Sequence, residues 1–172
     1  MPLVATDAGT AFKPAPEGLH PAVCVDIVDM GEVENKFKPG TKQHKCRIVW
    51  QIAETDPDNE DKRYIVSGFY TVSLNEKANL RKDLENWRGR KFTSEELKGF
   101  DLEKLLGVNC QINVVHYAKP DGKIYGNVEA IVPLGKGMEK MVPDANYIRV
   151  QDRTKDGQSA NGHHSEDDDV PF

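Results

Sequence analysis

Between His20 and Val132 the chain carries five β-patterned runs, and its longest helical pattern falls between the third and the fourth. Gln43 to Ala53 is the clearest run. Cys46, Ile48, Trp50 and Ile52 share one face, and Lys45, Arg47, Val49 and Gln51 share the other, the period of two that marks a half-buried strand. His20 to Met30 precedes it as a first strand, with Gly31 to Thr41 as the connecting loop and Pro39-Gly40 as its turn signal. Arg63 to Val72 follows as a third strand. Tyr64 and Tyr70 lie on one of its faces and Phe69 on the other, and the pattern leaves open which face is core. Ser73 can then cap a helix in which Leu74, Ala78, Leu80, Leu84 and Trp87 recur at helical spacing until Gly89. A second short helix is predicted from Thr93-Ser94-Glu95-Glu96 to about Leu106, broken near Gly99 and closed by Gly107. Asn109 to Tyr117 and Lys123 to Val132 complete the set as a hairpin around Pro120-Asp121-Gly122.

Three strands, a helical insertion and two further strands give the order of an OB-fold, a mainly-β, five-stranded Greek-key barrel. The expected domain spans residues 19–150. Residues 1–18, rich in Ala, Pro and Gly, read as a flexible arm, and residues 151–172 as a disordered acidic tail. Trp50, Trp87 and the three cysteines, Cys24, Cys46 and Cys110, are expected in the core.

Charge placement agrees with that order. The net charge of −5 divides into −4 from Gln151 onward and −1 for the remainder. Within the near-neutral body, Asn35 to Arg47 holds Lys36, Lys38, Lys42, Lys45 and Arg47 with no acid. This cluster falls on the loop between strands 1 and 2, where OB barrels bind oligonucleotides, together with strands 2 and 3 and the loop between strands 4 and 5. Lys119 and Lys123 flank that last loop. Binding single strands requires cations along the phosphates and aromatic faces for the bases. Phe37 on the basic loop, with Tyr117 and Tyr125 bracketing the second hairpin, are the candidate stacking rings. Arg88, Arg90 and Lys91 form a second basic spot that also suits a helix C-terminus.

The tail carries an independent signal. Lys155 to Glu166 is polar and Gly-containing, and it leads into Asp167-Asp168-Asp169-Val170-Pro171-Phe172. Acids alone would serve solubility, but a solubilising tail gains nothing from a terminal Phe. The six residues resemble the tail tip of bacterial single-stranded DNA-binding proteins, differing by Val170 for Ile. That tip docks replication and repair proteins, so the resemblance implies a partner with a basic rim and an apolar pocket. The stretch Leu80 to Gly107, within a likeness spanning roughly Phe12 to Val150, also resembles small phage and prophage single-stranded DNA-binding proteins with one OB-fold and an acidic tail. This implies a replication or recombination accessory acting on viral DNA in a bacterial host.

Other classes find little support. No apolar run approaches the ~20 residues of a membrane span, and no basic-then-apolar signal pattern opens the chain, so a cytoplasmic location in the host is expected. Three widely spaced cysteines argue against a disulfide framework. Neither a zinc-ligand spacing nor a Walker A, G-x-S-x-G or H-E-x-x-H motif occurs, so no metal, cofactor or catalysis is expected. The expectation is a non-enzymatic, sequence-independent single-stranded DNA-binding protein with tail-mediated recruitment. The rivals are a tail mimic that occupies host partners without strong DNA binding, and a metal-dependent nuclease. Oligomeric state and preference among single-stranded DNA, duplex and RNA are not specified by the residues.

Overall fold

The computed structural model describes residues 13–58 and 61–153. The readings for residues 1–12 and for the tail from residue 154, including Asp167 to Phe172, lie outside them. The elements are β1 (Gly18–Glu34), β2 (Lys42–Asp56), β3 (Lys62–Thr71), α1 (Asn79–Arg88), β4 (Asn109–Ala118) and β5 (Ile124–Val132). The five strands form one antiparallel sheet in the order β3-β2-β1-β4-β5, with the helix between β3 and β4 in sequence.

β1 is longer than its alternation suggested, because it serves two neighbours. Its first residues pair with β4, from Gly18 opposite Val114 to Val23 opposite Asn109. From Ala22 to Glu34 it pairs with β2. Two irregularities bend it, and the first has consequences for the site. Cys24 opposes Trp50 and Asp26 opposes Val49, which leaves Val25 as an extra residue. Strict alternation from inward-facing Cys24 would drive Asp26 into the apolar interior. The bulge instead turns Val25 and Asp26 to the outer face, and Ile27 resumes the inner one. At the second irregularity Gly31 adopts φ 71°, a left-handed conformation that costs glycine little.

The inner face holds the main core. Cys24, Cys46, Cys110, Ile48, Trp50, Ile52, Ile112 and Val114 are buried there, and α1 seals it with Leu80, Leu84 and Trp87. The Trp50 and Trp87 rings lie 5.7 Å apart, and the Trp87 indole N–H donates to the Asn109 carbonyl at 3.0 Å. Both tryptophans and all three cysteines therefore take the core positions expected of them. β3 resolves the same way: Tyr70 is buried, with its hydroxyl donating to Asp83 Oδ2 at 2.7 Å, and Phe69 faces outward.

The helical insertion is shorter than predicted. α1 begins after Ala78, and Ser73 does not cap it. The Ser73 hydroxyl accepts from Asn75 N and the Asn75 side chain from Lys77 N, so residues 73–77 form side-chain-closed turns. The predicted second helix is two 3₁₀ turns, Glu96–Lys98 and Leu102–Leu105, and the break expected near Gly99 falls between them. A reciprocal capping pair does open the first. Thr93 Oγ1 accepts from Glu96 N and Glu96 Oε1 accepts from Thr93 N. The Arg88 guanidinium donates to the same carboxylate at 2.7 Å, which with those bonds holds the Glu96 pKa down to about 2.

Two segments outside the strands also pack. Residues 13–17, read as part of a loose arm, are tied to β4: the Ala15 carbonyl accepts from the His116 ring at 2.5 Å, and the Glu17 carboxylate accepts from His116 N. Ala15 is 3% exposed. A side chain at Gly126 would press on Val114 and approach the Ala15 backbone, which explains the small residue there. After β5 the chain crosses the outer face as a strap. Asn109 holds Met141 through two bonds, Arg63 donates to the Val142 carbonyl, and Gln51 accepts from Asp144 N. Met141 and Tyr147 then pack on Val23, Val25 and Val49. No helix among the described residues is long and apolar enough to cross a membrane.

Candidate nucleic-acid interface

The β1–β2 connection is a tightly bonded turn. Asn35 N donates to the Thr41 carbonyl and Lys38 N to the Asn35 carbonyl. Thr41 returns both its N–H and its hydroxyl to the Lys38 carbonyl, and Asn35 Oδ1 accepts from Phe37 N. With the backbone polar groups engaged inward, Lys36, Phe37, Lys38 and Lys42 are all exposed. Phe37 is 95% exposed. A phenyl ring held in water among lysines has the face and the neighbouring cations that stacking on a nucleic-acid base would use.

Register extends this basic tip onto the sheet. Lys45 opposes Thr71 and donates to its hydroxyl at 2.6 Å, and Arg47 opposes Phe69. Directly paired residues point to the same face, so Lys45, Arg47, Phe69 and Thr71 share the outer surface. Phe69 is 67% exposed. Arg47 is half-buried, and its Nε has no hydrogen-bond partner among the described residues. A guanidinium flanking an open phenyl ring supplies a phosphate donor and a base platform side by side. Phe69 is the residue missing from the sequence-derived set. Its signal was its position opposite Arg47, which required knowing the register.

The second predicted group forms on the other hairpin. Tyr117 opposes Tyr125, their rings 6.0 Å apart and tilted by 31°, and Lys119 Nζ sits 4.4 Å from the Tyr125 centroid. Lys119 N donates to the Lys123 carbonyl, and Asp121 closes the turn onto Lys123 N. Tyr117, Lys119 and Lys123 are exposed and Tyr125 is half-buried. Along β1, however, the two hairpins lie at opposite ends. β4 passes the start of β1 at Gly18, whereas the β1–β2 tip lies beyond Glu34. The structure thus brings Phe69 together with Arg47 and Lys45, and Lys119 together with Tyr117 and Tyr125.

A cleft of about 540 Å³ opens where β1 and β2 meet residues 100–103 and 150–151. Asp29, Asp101 and Glu103 line it with His44, whose ring is bonded to Asp29 at 2.6 Å. Its acids suit no phosphate. The basic spot near α1 is partly internal: Arg88 pairs with Glu96, while Arg90 and Lys91 are exposed. No family model and no curated protein sequence matches this chain.

Proposed function

We propose that the chain is a non-enzymatic, sequence-independent single-stranded DNA-binding protein of the OB type, a phage or prophage replication and recombination accessory whose acidic tail recruits partner proteins. Support for the barrel comes from the element order, a bent β1 shared by β2 and β4, and the close approach of the two edge strands, β3 and β5. The observation that carries the functional reading is the pairing of exposed Phe69 with Arg47, continuous with the acid-free β1–β2 tip. Cations there neutralise phosphates while Phe69 and Phe37 stack bases, and neither contact reads base edges. The pair Tyr117–Tyr125 with Lys119 and Lys123 provides a second stacking group. The tail tip Asp167 to Phe172 is assigned to protein partners.

Fluorescence anisotropy with single-stranded DNA, duplex and RNA over a salt series tests this reading. Single-stranded DNA should bind tightest. Each neutralised phosphate contributes about −0.7 to the slope of log K against log salt. With roughly four to six of the seven cations engaged, a slope of about −3 to −4 is expected. Replacing Lys36, Lys38 and Lys42 together should flatten it by about 2. A flat salt response, or equal affinity for duplex, would reject the mechanism.

Aromatic variants separate stacking from charge. Phe69→Ala and Phe37→Ala should each weaken binding by about 1–3 kcal/mol per stacked base, with the salt slope unchanged. Both rings are exposed, so thermal melting should stay at the wild-type value. Normal affinity in both variants would move the stacking platform to the Tyr117–Tyr125 pair.

A further inference from the structure

The strap after β5 lies over only part of the outer sheet surface. Val142 and Asp144 meet Arg63 and Gln51, and Tyr147 packs on Val23, Val25 and Val49. Val49 is two residues from Arg47 on the same face of β2, so the strap ends its cover beside the Arg47–Phe69 pair. The Tyr147 phenol is pushed up to about 12, first by burial and then by the neighbouring Asp26 carboxylate, with the Arg47 and Arg153 charges acting in the opposite direction. Tyr147 packs on Val49, which stands two residues from Arg47 on the same face of β2. It is only half-buried, and the Arg153 guanidinium sits 5.7 Å from its ring centroid. Arg153 is itself exposed and is steered by Nε donating to the Ile148 carbonyl at 3.0 Å. The same cation-over-tyrosine arrangement occurs at Lys119 and Tyr125.

We propose that the strap is a wall of the single-strand site, with Tyr147 as a third stacking surface and Arg153 as a phosphate contact. This rests on the DNA-binding reading above and adds two residues from a segment outside the five strands. Three side chains would then follow one another across the outer face: Phe69 on β3, Arg47 on β2 and Tyr147 on the strap. A base meeting the exposed part of the Tyr147 ring would bring its phosphate toward the Arg153 guanidinium, which lies over that ring. Asp26 acts as the positioning residue. Turned outward by the β1 bulge, it accepts from Tyr147 Oη at 3.0 Å, Arg149 Nε at 3.0 Å and Val150 N at 2.8 Å. Those bonds hold the ring by its own hydroxyl and fix the strap at the two residues that follow close behind it.

The test uses the full-length protein and a thymidine-rich oligonucleotide substituted with 5-iododeoxyuridine, photo-crosslinked and mapped by mass spectrometry. Crosslinks at Tyr147 as well as Phe69 are expected, and Arg153→Ala should reduce the salt slope by about 0.7 while melting as wild type. Crosslinks at Phe69 without Tyr147, together with an unchanged slope in Arg153→Ala, would overturn the wall and leave the DNA-binding reading intact. Absence of any crosslink, with no measurable anisotropy change for the wild type, would overturn both.

Discussion

Replacing Asp26 with Ala is expected to destabilise the protein by about 3 kcal/mol, the lower end of the range for breaking a buried ion pair from one side. Asp26 is 0% exposed, and its carboxylate accepts from three donors at once. Alanine leaves the Tyr147 hydroxyl and the Val150 N–H without their acceptor and removes the more buried of the two counter-charges of Arg149. Arg149 retains Glu103 at 3.0 Å and the Ile27 carbonyl at 3.2 Å, which is why the lower end applies. For a domain of this size each kcal/mol shifts Tm by about 2–4 °C, so a fall of roughly 6–12 °C should appear in a thermal melt. Amide exchange should rise most over residues 141–150, because local opening releases the strap before the sheet. Asp26→Asn keeps an oxygen acceptor and should lose less. An unchanged melt in Asp26→Ala would show that the strap adds nothing to the folded state.

The strap also explains why the outer face of a half-covered sheet is so apolar. Val23, Val25 and Val49 would be exposed on a bare surface, and Gln51 would be solvated. Under the strap the three valines and Gln51 are buried, and the Gln51 amide oxygen accepts from Asp144 N. The open remainder of the face is then the part with Lys45, Arg47, Phe69 and Thr71. One segment buries the valines and, by stopping where it does, sets one border of the proposed site.

Strand order and the inner core were legible in the residues because a period of two places Cys46, Ile48, Trp50 and Ile52 together in any register. The helix boundaries were not. Ser73 and Asn75 satisfy a helix-start pattern, yet their side chains close local turns instead, and the pattern alone does not distinguish these outcomes. The same limit applied to the proposed stacking rings. Phe37, Tyr117 and Tyr125 could be chosen from loop position, whereas Phe69 required knowing that β3 turns Tyr70 inward. Asp26 left one trace, a lone acid in the apolar run Val23 to Val28. Its partners, Tyr147, Arg149 and Val150, lie more than a hundred residues away in a stretch without strand or helix periodicity, so no local rule could reach them. The two hairpins also read as one site because both flank the barrel's usual binding face, and the pairing register separates them along β1.

The tail should show two separable effects. Residues 154–172 carry Asp156, Glu166, Asp167, Asp168 and Asp169 against Lys155, a net −4. Covalent attachment makes those acids a competitor for the proposed basic site at high effective concentration. Truncation after Arg153 should therefore strengthen single-strand binding several-fold at low salt, and the gain should vanish as salt screens the acids. The cut must fall there. Ending the chain at Arg149 would remove Val150 N from Asp26 together with the proposed phosphate contact Arg153, and would confound tail loss with strap loss. Phe172→Ala keeps every acid, so DNA affinity should be unchanged. It should, however, abolish capture of a bacterial replication or repair protein that reads acidic Pro-Phe tips, since the apolar anchor of the tip is gone. A pull-down with such a protein, run beside the anisotropy series, decides the matter. Capture that survives Phe172→Ala, with DNA affinity indifferent to truncation, would reduce the tail to a solubilising charge.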